Sequence, residues 1–135
     1  FWDDLDFIGL NSYYPSSKKD SPTNEELSLQ FDTVKTKIKK VYDRFKKPIV
    51  FTEIGFRSVD APWKNPHAEA DDTINEEAQR RSYEIIFEGI QNEPWCQGIL
   101  WWKFPSYIEY RGEHNNAFTP NNKLAEESVR DWFSR

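Results

Sequence analysis

One glutamate closes an otherwise apolar, strand-like segment of the chain. The run from Pro48 to Thr52 is rich in β-branched and aromatic residues, which is typical of a buried strand, and Glu53 follows it directly. A carboxylate in such a place is costly to bury unless a nearby group needs it. Glu53 is therefore a candidate for acid, base or nucleophile chemistry, although a strand-end Glu that only reaches water or Arg57 fits the pattern equally well.

Two polar side chains follow an earlier apolar run, Leu5 to Leu10. Side chains alternate in facing along a strand, so Asn11 and Tyr13 share one face. If the two strands are parallel neighbours, both side chains come close to Glu53. A Tyr hydroxyl can then orient a carboxylate, and an Asn amide can donate to it or to a ligand hydroxyl. An Asx turn at Asn11 and core packing of Tyr13 are the alternatives that need no ligand.

A third apolar run, Gly98 to Phe104, contains a Trp pair. By alternation Trp102 shares its facing with Leu100, whereas Trp101 shares the opposite facing with Ile99. One indole therefore faces the helices and the other faces away from them. We expect Trp102 to be the flat platform on which a sugar ring could stack, and Trp101 to be mainly a packing residue, retained as a second candidate contact.

Helical patterns separate and follow these three runs. Two possible capping boxes, Thr23 with Glu26 and Thr73 with Glu76, mark helix starts. The first helical face is the clearest and contains Leu27, Phe31, Val34, Ile38, Val41 and Phe45. The second helix runs to about residue 91 and buries Tyr83, Ile86, Phe87 and Ile90; the third spans 123–133 with Leu124, Val129, Trp132 and Phe133 as apolar contacts. The βα alternation predicts a parallel sheet, with function at the carboxyl ends of its strands.

Composition narrows the classes of function. The net charge of −5, with both signs interspersed, argues against nucleic-acid binding, and no apolar run approaches the roughly 20 residues of a membrane span. His67 and His114 lack ligand spacing, so we expect no metal site and no cofactor. Cys96 is expected to be a structural thiol. The cellular compartment is left open.

Three motifs resemble strands six, seven and eight of the retaining glycoside hydrolases of clan A. They are Asp6–Pro15 (DFIGLNSYYP), Pro48–Gly55 (PIVFTEIG) and Gly98–Trp102 (GILWW). The string Thr52–Ser58 (TEIGFRS) and the Trp-Trp-Lys after it are most similar to family 113, the β-mannanase-like enzymes. The resemblance implies that residues 1–135 are the C-terminal three βα units of a (β/α)₈ barrel catalytic domain. At 135 residues the chain is shorter than the roughly 200 of a complete barrel, so we expect either a partial chain or a short mature protein.

The resemblance also assigns roles to residues of this chain. Glu53 is expected to be the nucleophile, Tyr13 to orient it, and Trp102 to stack under the sugar, while Asn11 and Arg57 are further candidate substrate contacts. The general acid/base of the clan follows strand four, which this chain does not contain. Asn92-Glu93-Pro94 reads like that motif, but it precedes the third strand at the opposite end of the sheet, so we expect Glu93 to be structural.

The expected function is hydrolysis of β-glycosidic bonds in a mannan-like glycan, with retention of configuration, by the complete protein. A carbohydrate-binding pseudoenzyme, or an inactive barrel fragment, is the alternative, and a barrel of unrelated chemistry is a second one. The expected partner is a carbohydrate. The chain is also expected to need the N-terminal part of the barrel, or self-association, to cover its sheet.

Overall fold

A computed structural model describes residues 1–68, 73–107 and 110–135 and consists of three successive βα units. The three strands are parallel and adjacent, in the order β1-β2-β3. This confirms the predicted α/β class and the side-by-side arrangement of the strands. In chain order the elements are a 3₁₀ helix Trp2–Asp4, β1 (Ile8–Asn11), α1 (Asn24–Phe45), β2 (Ile49–Ile54), α2 (Glu76–Ile90), β3 (Cys96–Trp101) and α3 (Leu124–Phe133).

The strand boundaries differ from the predicted ones at two places. β1 begins at Ile8 and not at Leu5, and the preceding Phe7 is half exposed. β3 begins two residues earlier than predicted and ends at Trp101, because Trp102 and Lys103 already form a turn. The side chains that follow each strand therefore belong to loops at the carboxyl edge of the sheet.

The core lies between one face of the sheet and the helices. Ile8, Ile49 and Phe51 point into it from the strands and are almost fully buried. The helices contribute the predicted faces: Leu27, Phe31, Val34 and Ile38 from α1, and Tyr83, Ile86, Phe87 and Ile90 from α2. The apolar periodicity of the sequence thus identified the buried sides of the first two helices correctly.

The start of α1 was predicted correctly and the start of α2 was not. Thr23 and Glu26 form the expected capping box at α1. At α2 the cap is Asn75, whose side chain accepts a hydrogen bond from the Ala78 amide. Ile74 pairs with Val59 in an isolated antiparallel bridge, which keeps the chain extended just before Asn75 and rules out a helix start at Thr73.

The packing of α3 also differs from the prediction at both of its ends. Leu124 is 41% exposed and Phe133 is 63% exposed, and Ala125 is the buried residue of the first turn. Ala125, Val129 and Trp132 follow a spacing of four and three, so they form the face that packs on α2. The Trp132 ring stacks on Phe87 at a centroid distance of 4.7 Å.

The sheet face opposite the helices is open. Leu100 is 59% exposed and Trp102 is 42% exposed, and both project from β3 or its end on that side. Apolar side chains of this size on an open sheet face indicate a surface that another layer of protein, or a ligand, covers. None of the described helices is both long and apolar enough to serve as a membrane span.

Candidate active site

A β-bulge near the end of β2 sets the direction of Glu53. Leu10 of β1 pairs with Phe51, but the next residue, Asn11, pairs with Glu53, so Thr52 is an extra residue in β2. The pairing with β3 shows the same extra residue in β2. Ile99 pairs with Phe51 and Trp101 pairs with Ile54, so two steps along β3 correspond to three along β2. Strict alternation would put Glu53 on the same side as the buried Phe51. The bulge instead leaves Thr52 and Glu53 both on the less buried face, and Ile54 returns to the core.

The Glu53 carboxylate receives hydrogen bonds from two neutral donors of the first βα unit. The Tyr13 hydroxyl donates to Oε1 at 2.5 Å, and the Asn11 Nδ2 donates to Oε2 at 3.4 Å. Asn11 is itself held by the Thr52 hydroxyl, which donates to its Oδ1 at 3.0 Å. The juxtaposition of these side chains at neighbouring strand ends was predicted from the alternation of β1.

Tyr13 is in its protonated form at neutral pH. Partial burial raises the pKa of its phenol well above the usual range, and the hydrogen bond to the negatively charged Glu53 raises it further. The hydroxyl is therefore a permanent donor to the carboxylate and not a base. The Tyr13 ring is held by Phe118 from the loop after β3, in an edge-on contact with centroids 6.4 Å apart.

The two indoles at the end of β3 face in opposite directions, as the alternation predicts. Trp101 lies between sheet and helices, where it stacks on Tyr83 at 3.8 Å and meets Phe87 edge-on. This packing covers one face of the Trp101 ring, and its role as a second substrate contact stays a prediction. Trp102 lies on the open side, with the Lys103 ammonium 5.6 Å from its ring centroid.

Gly55 allows the end of β3 to approach the end of β2. A Cβ atom at this position would lie 2.0 Å from the Trp102 carbonyl oxygen, which is closer than any side chain can come. The Trp102 amide also donates to the Ile54 carbonyl at 2.7 Å. Two residues after Glu53, the backbone thus fixes the position of Trp102 relative to the carboxylate.

Arg57 does not join the Glu53 cluster. Its guanidinium is buried and donates to the backbone carbonyls of Asn116 at 2.9 Å and Ala68 at 3.4 Å. Within the described part of the chain, the hydrogen bonds of Glu53 come from Tyr13 and Asn11. Arg57 therefore links loops beside the site and lines a cavity of about 410 Å³, and its role as a substrate contact stays a prediction.

Glu93 lies at the opposite end of the sheet, as expected from its position before β3. Its carboxylate accepts from the Lys35 ammonium of α1 at 3.2 Å, and its backbone carbonyl accepts from the Cys96 amide. A salt bridge between helix and strand start is a structural role. Across residues 1–68, 73–107 and 110–135, no group of three His, Cys, Asp or Glu side chains is arranged to hold a metal ion.

Two features near the site were not found by reading the sequence. The bulge at Thr52 leaves no mark in composition, because Thr is an ordinary strand residue. Lys123 was read only as the start of a helix, but its ammonium is buried beside Ser58. The sequence contained part of the signal, because Lys123 stands at a helix N-cap, where a side chain that accepts a hydrogen bond, such as Ser or Asp, is usual.

Known proteins match this arrangement over almost the whole chain. The family model Glycoside Hydrolase Family 113 matches residues 1–123. A structure titled as a GH113 beta-1,4-mannanase superposes on 99% of the chain with 25% identity and a TM-score of 0.80. The GH113 beta-mannanase AaManA from Alicyclobacillus acidocaldarius, in complex with ManMIm, superposes on 98% with 25% identity and a TM-score of 0.76. No curated protein sequence matches the chain.

More distant barrels share the fold alone. A Bifidobacterium dentium beta-glucuronidase superposes on 97% of the chain at 20% identity, with a TM-score of 0.63, and the chain covers 21% of it. The chain covers 40% of the length of each of the two mannanases, so it corresponds to a part of those proteins. Because the family model matches 123 of the 135 residues, the chain belongs to Glycoside Hydrolase Family 113.

Proposed function

We propose that this chain supplies the nucleophile side of the active site of a retaining β-glycosidase that acts on β-mannan-like glycans. The observation that carries the proposal is the Glu53 carboxylate, placed at the carboxyl edge of a parallel sheet and bonded by the Tyr13 hydroxyl and the Asn11 amide. Catalytic groups of (β/α)₈ barrels lie at this edge. Family membership supports glycoside hydrolysis by the complete protein.

In the first step, a Glu53 oxygen attacks the anomeric carbon from the face opposite the leaving group. The new carbon–oxygen bond forms as the glycosidic bond breaks, and a proton from a second carboxyl group goes to the departing oxygen. In the second step, the second carboxyl group, now deprotonated, takes a proton from water. The oxygen of that water displaces Glu53, so two inversions give net retention.

The hydrogen bonds of Glu53 suit this role. Tyr13 holds Oε1 with a donor that stays protonated, so the carboxylate is fixed in one rotamer and Oε2 is the oxygen presented to the sugar. Asn11 is aimed at Oε2 by the Thr52 hydroxyl and is close enough to donate to the carboxylate or to a neighbouring sugar hydroxyl. Both donors are neutral, so they position the negative charge without cancelling it.

The second carboxyl group is proposed to come from the part of the barrel that precedes this chain. A retaining pair needs its two carboxyl groups about 5–5.5 Å apart, across the cleft from Glu53. We propose that β1, β2 and β3 are strands six to eight of that barrel, and that the other strands cover the open face at Leu100 and leave Trp102 at the cleft. Self-association of the chain through this face is the alternative.

The sugar at the cleavage point is proposed to stack on Trp102. The indole projects on the same open side as Glu53, and its backbone is fixed by Gly55. The Lys103 ammonium lies over one ring face, so a pyranose would use the other. A β-mannan-like substrate is favoured because the similar structures with 25% identity are titled β-mannanases.

Azide rescue tests the nucleophile directly. In the complete protein, Glu53→Ala should abolish turnover of β-mannan and of an aryl β-mannoside. Added azide should restore cleavage of the aryl glycoside and give a glycosyl azide of inverted configuration, because the small anion enters the space left by the carboxylate. Glu93→Ala is the matched control and should remain active. Undiminished turnover by Glu53→Ala would remove the nucleophile role.

A carbohydrate-binding protein without catalysis is the second candidate, because the exposed Trp102 indole and the Asn11 amide could hold a sugar without any cleavage. The isolated chain should hydrolyse nothing, because a positioned acid contributes roughly 10²–10⁴-fold. Calorimetric titration of mannooligosaccharides against the complete protein distinguishes the two candidates. Binding with no turnover by the unaltered complete protein would favour the second candidate.

A further inference from the structure

Lys123 is a buried cation that donates its hydrogen bonds to neutral groups. Its residue is 4% exposed, and its Nζ donates to Ser58 Oγ at 2.9 Å, Asn115 Oδ1 at 2.9 Å and the Ala117 carbonyl at 3.0 Å. Three acceptors match the three protons of an ammonium group. Among the described residues Lys123 makes no salt bridge, whereas the partly buried Lys35 pairs with both Asp32 and Glu93. A buried cation without a carboxylate is expensive, which points to a task beyond packing.

The ammonium joins two loops that leave the carboxyl edge of the sheet. Ser58 lies in the loop after β2, five residues beyond Glu53, whereas Asn115 and Ala117 lie in the loop after β3. Further bonds reinforce the junction. The Ser58 hydroxyl donates to the Asn115 carbonyl at 2.6 Å, and the Ser58 amide donates to the Ala117 carbonyl at 3.3 Å.

A second buried polar side chain holds the same loops from the side of α2. The Gln79 Nε2 donates to the carbonyls of Phe56 at 2.9 Å and Phe118 at 3.0 Å, and Gln79 is fully buried. The Tyr83 hydroxyl also approaches the Phe118 carbonyl, at 3.4 Å. The backbone at Phe118 is therefore fixed on one side by α2 and on the other by the segment that Lys123 binds.

Phe118 is the point at which this junction meets the proposed nucleophile. Its ring is nearly buried, packs edge-on against Tyr13, and has one carbon 3.3 Å from the position of a Cβ at Gly55. The Tyr13 hydroxyl in turn bonds Glu53. A continuous series of contacts thus runs from the Lys123 ammonium through residues 115–118 to Tyr13 and Glu53.

We propose that Lys123 is a positioning residue for Glu53: by fastening residues 115–117 to Ser58, it holds Phe118 against Tyr13 and keeps the Tyr13 hydroxyl on the carboxylate. The inference rests on the proposed function. It assigns a task in the reaction to a side chain that makes no contact with Glu53 in the structure. The lowered pKa of Lys123, which burial causes against the opposing charge of Glu76, fits a cation whose hydrogen bonds go to neutral acceptors.

A double-mutant cycle in the complete protein separates positioning from general stabilisation. Lys123→Met keeps most of the length of the side chain and removes its donors, and Tyr13→Phe removes the hydroxyl through which Lys123 acts. Activity is expressed per competent site, counted by intact mass after covalent trapping with an activated 2-deoxy-2-fluoro-β-mannoside, so that unfolded protein does not contribute. Lys35→Met is the matched control, because Lys35 is also partly buried but lies at the other end of the sheet.

Lys123→Met should lower kcat about tenfold to a hundredfold, the order of loss that follows a small misplacement of a reacting group, with little change in KM. In the Tyr13→Phe background the same change should lower kcat less than about threefold, because interacting residues are not additive. Lys35→Met should leave kcat unchanged. An equal loss in both backgrounds, or no loss in either, would overturn the inference.

If Lys123→Met does not fold, Ser58→Ala and Phe118→Leu take its place in the same cycle, since each interrupts the same series of contacts at another point. The outcomes distinguish the two proposals. If Glu53→Ala remains active, the proposed function fails. If Glu53→Ala is inactive, and the Lys123, Ser58 and Phe118 variants all have kcat values additive with Tyr13→Phe, only the positioning role fails.

Discussion

Two glutamates lie at opposite ends of the sheet in very different surroundings. Glu93, before β3, accepts from the Lys35 ammonium, which also contacts Asp32 at 2.9 Å. Glu53, at the end of β2, is bonded by the neutral hydroxyl and amide of Tyr13 and Asn11. The cation neutralises the first charge, so that carboxylate stabilises the fold. Neutral donors fix the second carboxylate in place and leave its charge available to a developing positive charge at a sugar carbon.

The lysines at the two ends differ in the same way. Lys35 is an ion-pairing lysine, whereas Lys123 is surrounded by hydroxyl, amide and carbonyl oxygens. Glu93 and Lys35 therefore pair with opposite charges, whereas Glu53 and Lys123 are held by hydrogen bonds with neutral groups. Charges of the second kind mark a place where function is expected, because an unpaired buried charge is retained there at a cost in stability.

Among changes that keep Glu53, the largest expected loss of kcat is at Tyr13. Tyr13→Phe in the complete protein keeps the ring against Phe118 and removes only the donor to Glu53, so we expect kcat to fall about 10²–10³-fold, the usual cost of one such donor. Substrate binding should change little. Steady-state kinetics on an aryl β-mannoside measures both parameters.

Tyr14→Phe is the control for this comparison, since the neighbouring Tyr14 is exposed. Its kcat should match that of the unaltered protein. Equal activity of the two variants would mean that Glu53 is oriented by something other than Tyr13, and the two ends of the sheet would then no longer differ in the way described.

A smaller effect is expected on stability: the pH dependence of the free energy of unfolding should differ between the two lysines. Burial lowers the pKa of Lys123 from 10.5 to about 8, with Glu76 opposing the shift and Arg57 adding to it. Between pH 8 and 10.5 the unfolded chain therefore binds more protons at this site than the folded chain, so stability rises with pH across that window. We expect the gain to be about 1–2 kcal/mol, since one pKa unit corresponds to about 1.4 kcal/mol and the three hydrogen bonds to the ammonium oppose the shift.

The measurement is the free energy of unfolding by urea at pH 7.5 and pH 10, for the unaltered protein and for Lys123→Met. The difference between the two proteins should move in favour of the unaltered one as pH rises. Burial also lowers the pKa of Lys35, but its bonds to Asp32 and Glu93 outweigh burial and leave the pKa raised above 10.5. Its contribution is lost only at higher pH, so the Lys35→Met difference should be flat across the window. A flat Lys123→Met difference would contradict the prediction.

The smallest expected effect is at Glu93. Glu93→Gln removes the charge of a partly exposed pair, which is worth no more than about 1 kcal/mol, and leaves the catalytic edge of the sheet untouched. We expect a small fall in the urea midpoint and an unchanged kcat. A tenfold loss of kcat at full stability would place Glu93 in the chemistry and reverse the comparison.

The sequence predicted the parts of this structure that follow from periodicity. Apolar spacing located α1 and α2 and their buried faces, and alternation along β1 placed Asn11 and Tyr13 together beside Glu53. Alternation also sent Trp101 to the helices and Trp102 to the open face. These features repeat every two residues or every 3.6 residues, so a short segment contains enough information to define them.

What the sequence did not predict depends on contacts between distant segments. The start of α2 is set by a bridge between Ile74 and Val59, and the capping pattern at Thr73 does not indicate that bridge. Lys123 is 65 residues from Ser58, and its burial depends on how two loops meet. Arg57 follows Glu53 closely in sequence, but the chain turns it towards Asn116.

The bulge in β2 means that the direction of Glu53 depends on how the strand pairs as well as on its residue types. With Thr52 left unpaired, the strand offers two successive positions on one side, and one of them carries the carboxylate while the other supports its partner Asn11. If Asn11 paired with Thr52 instead, Glu53 would follow Phe51 towards the helices although the sequence is unchanged. A slip of one residue in strand pairing would therefore displace this carboxylate more completely than most substitutions in the strand.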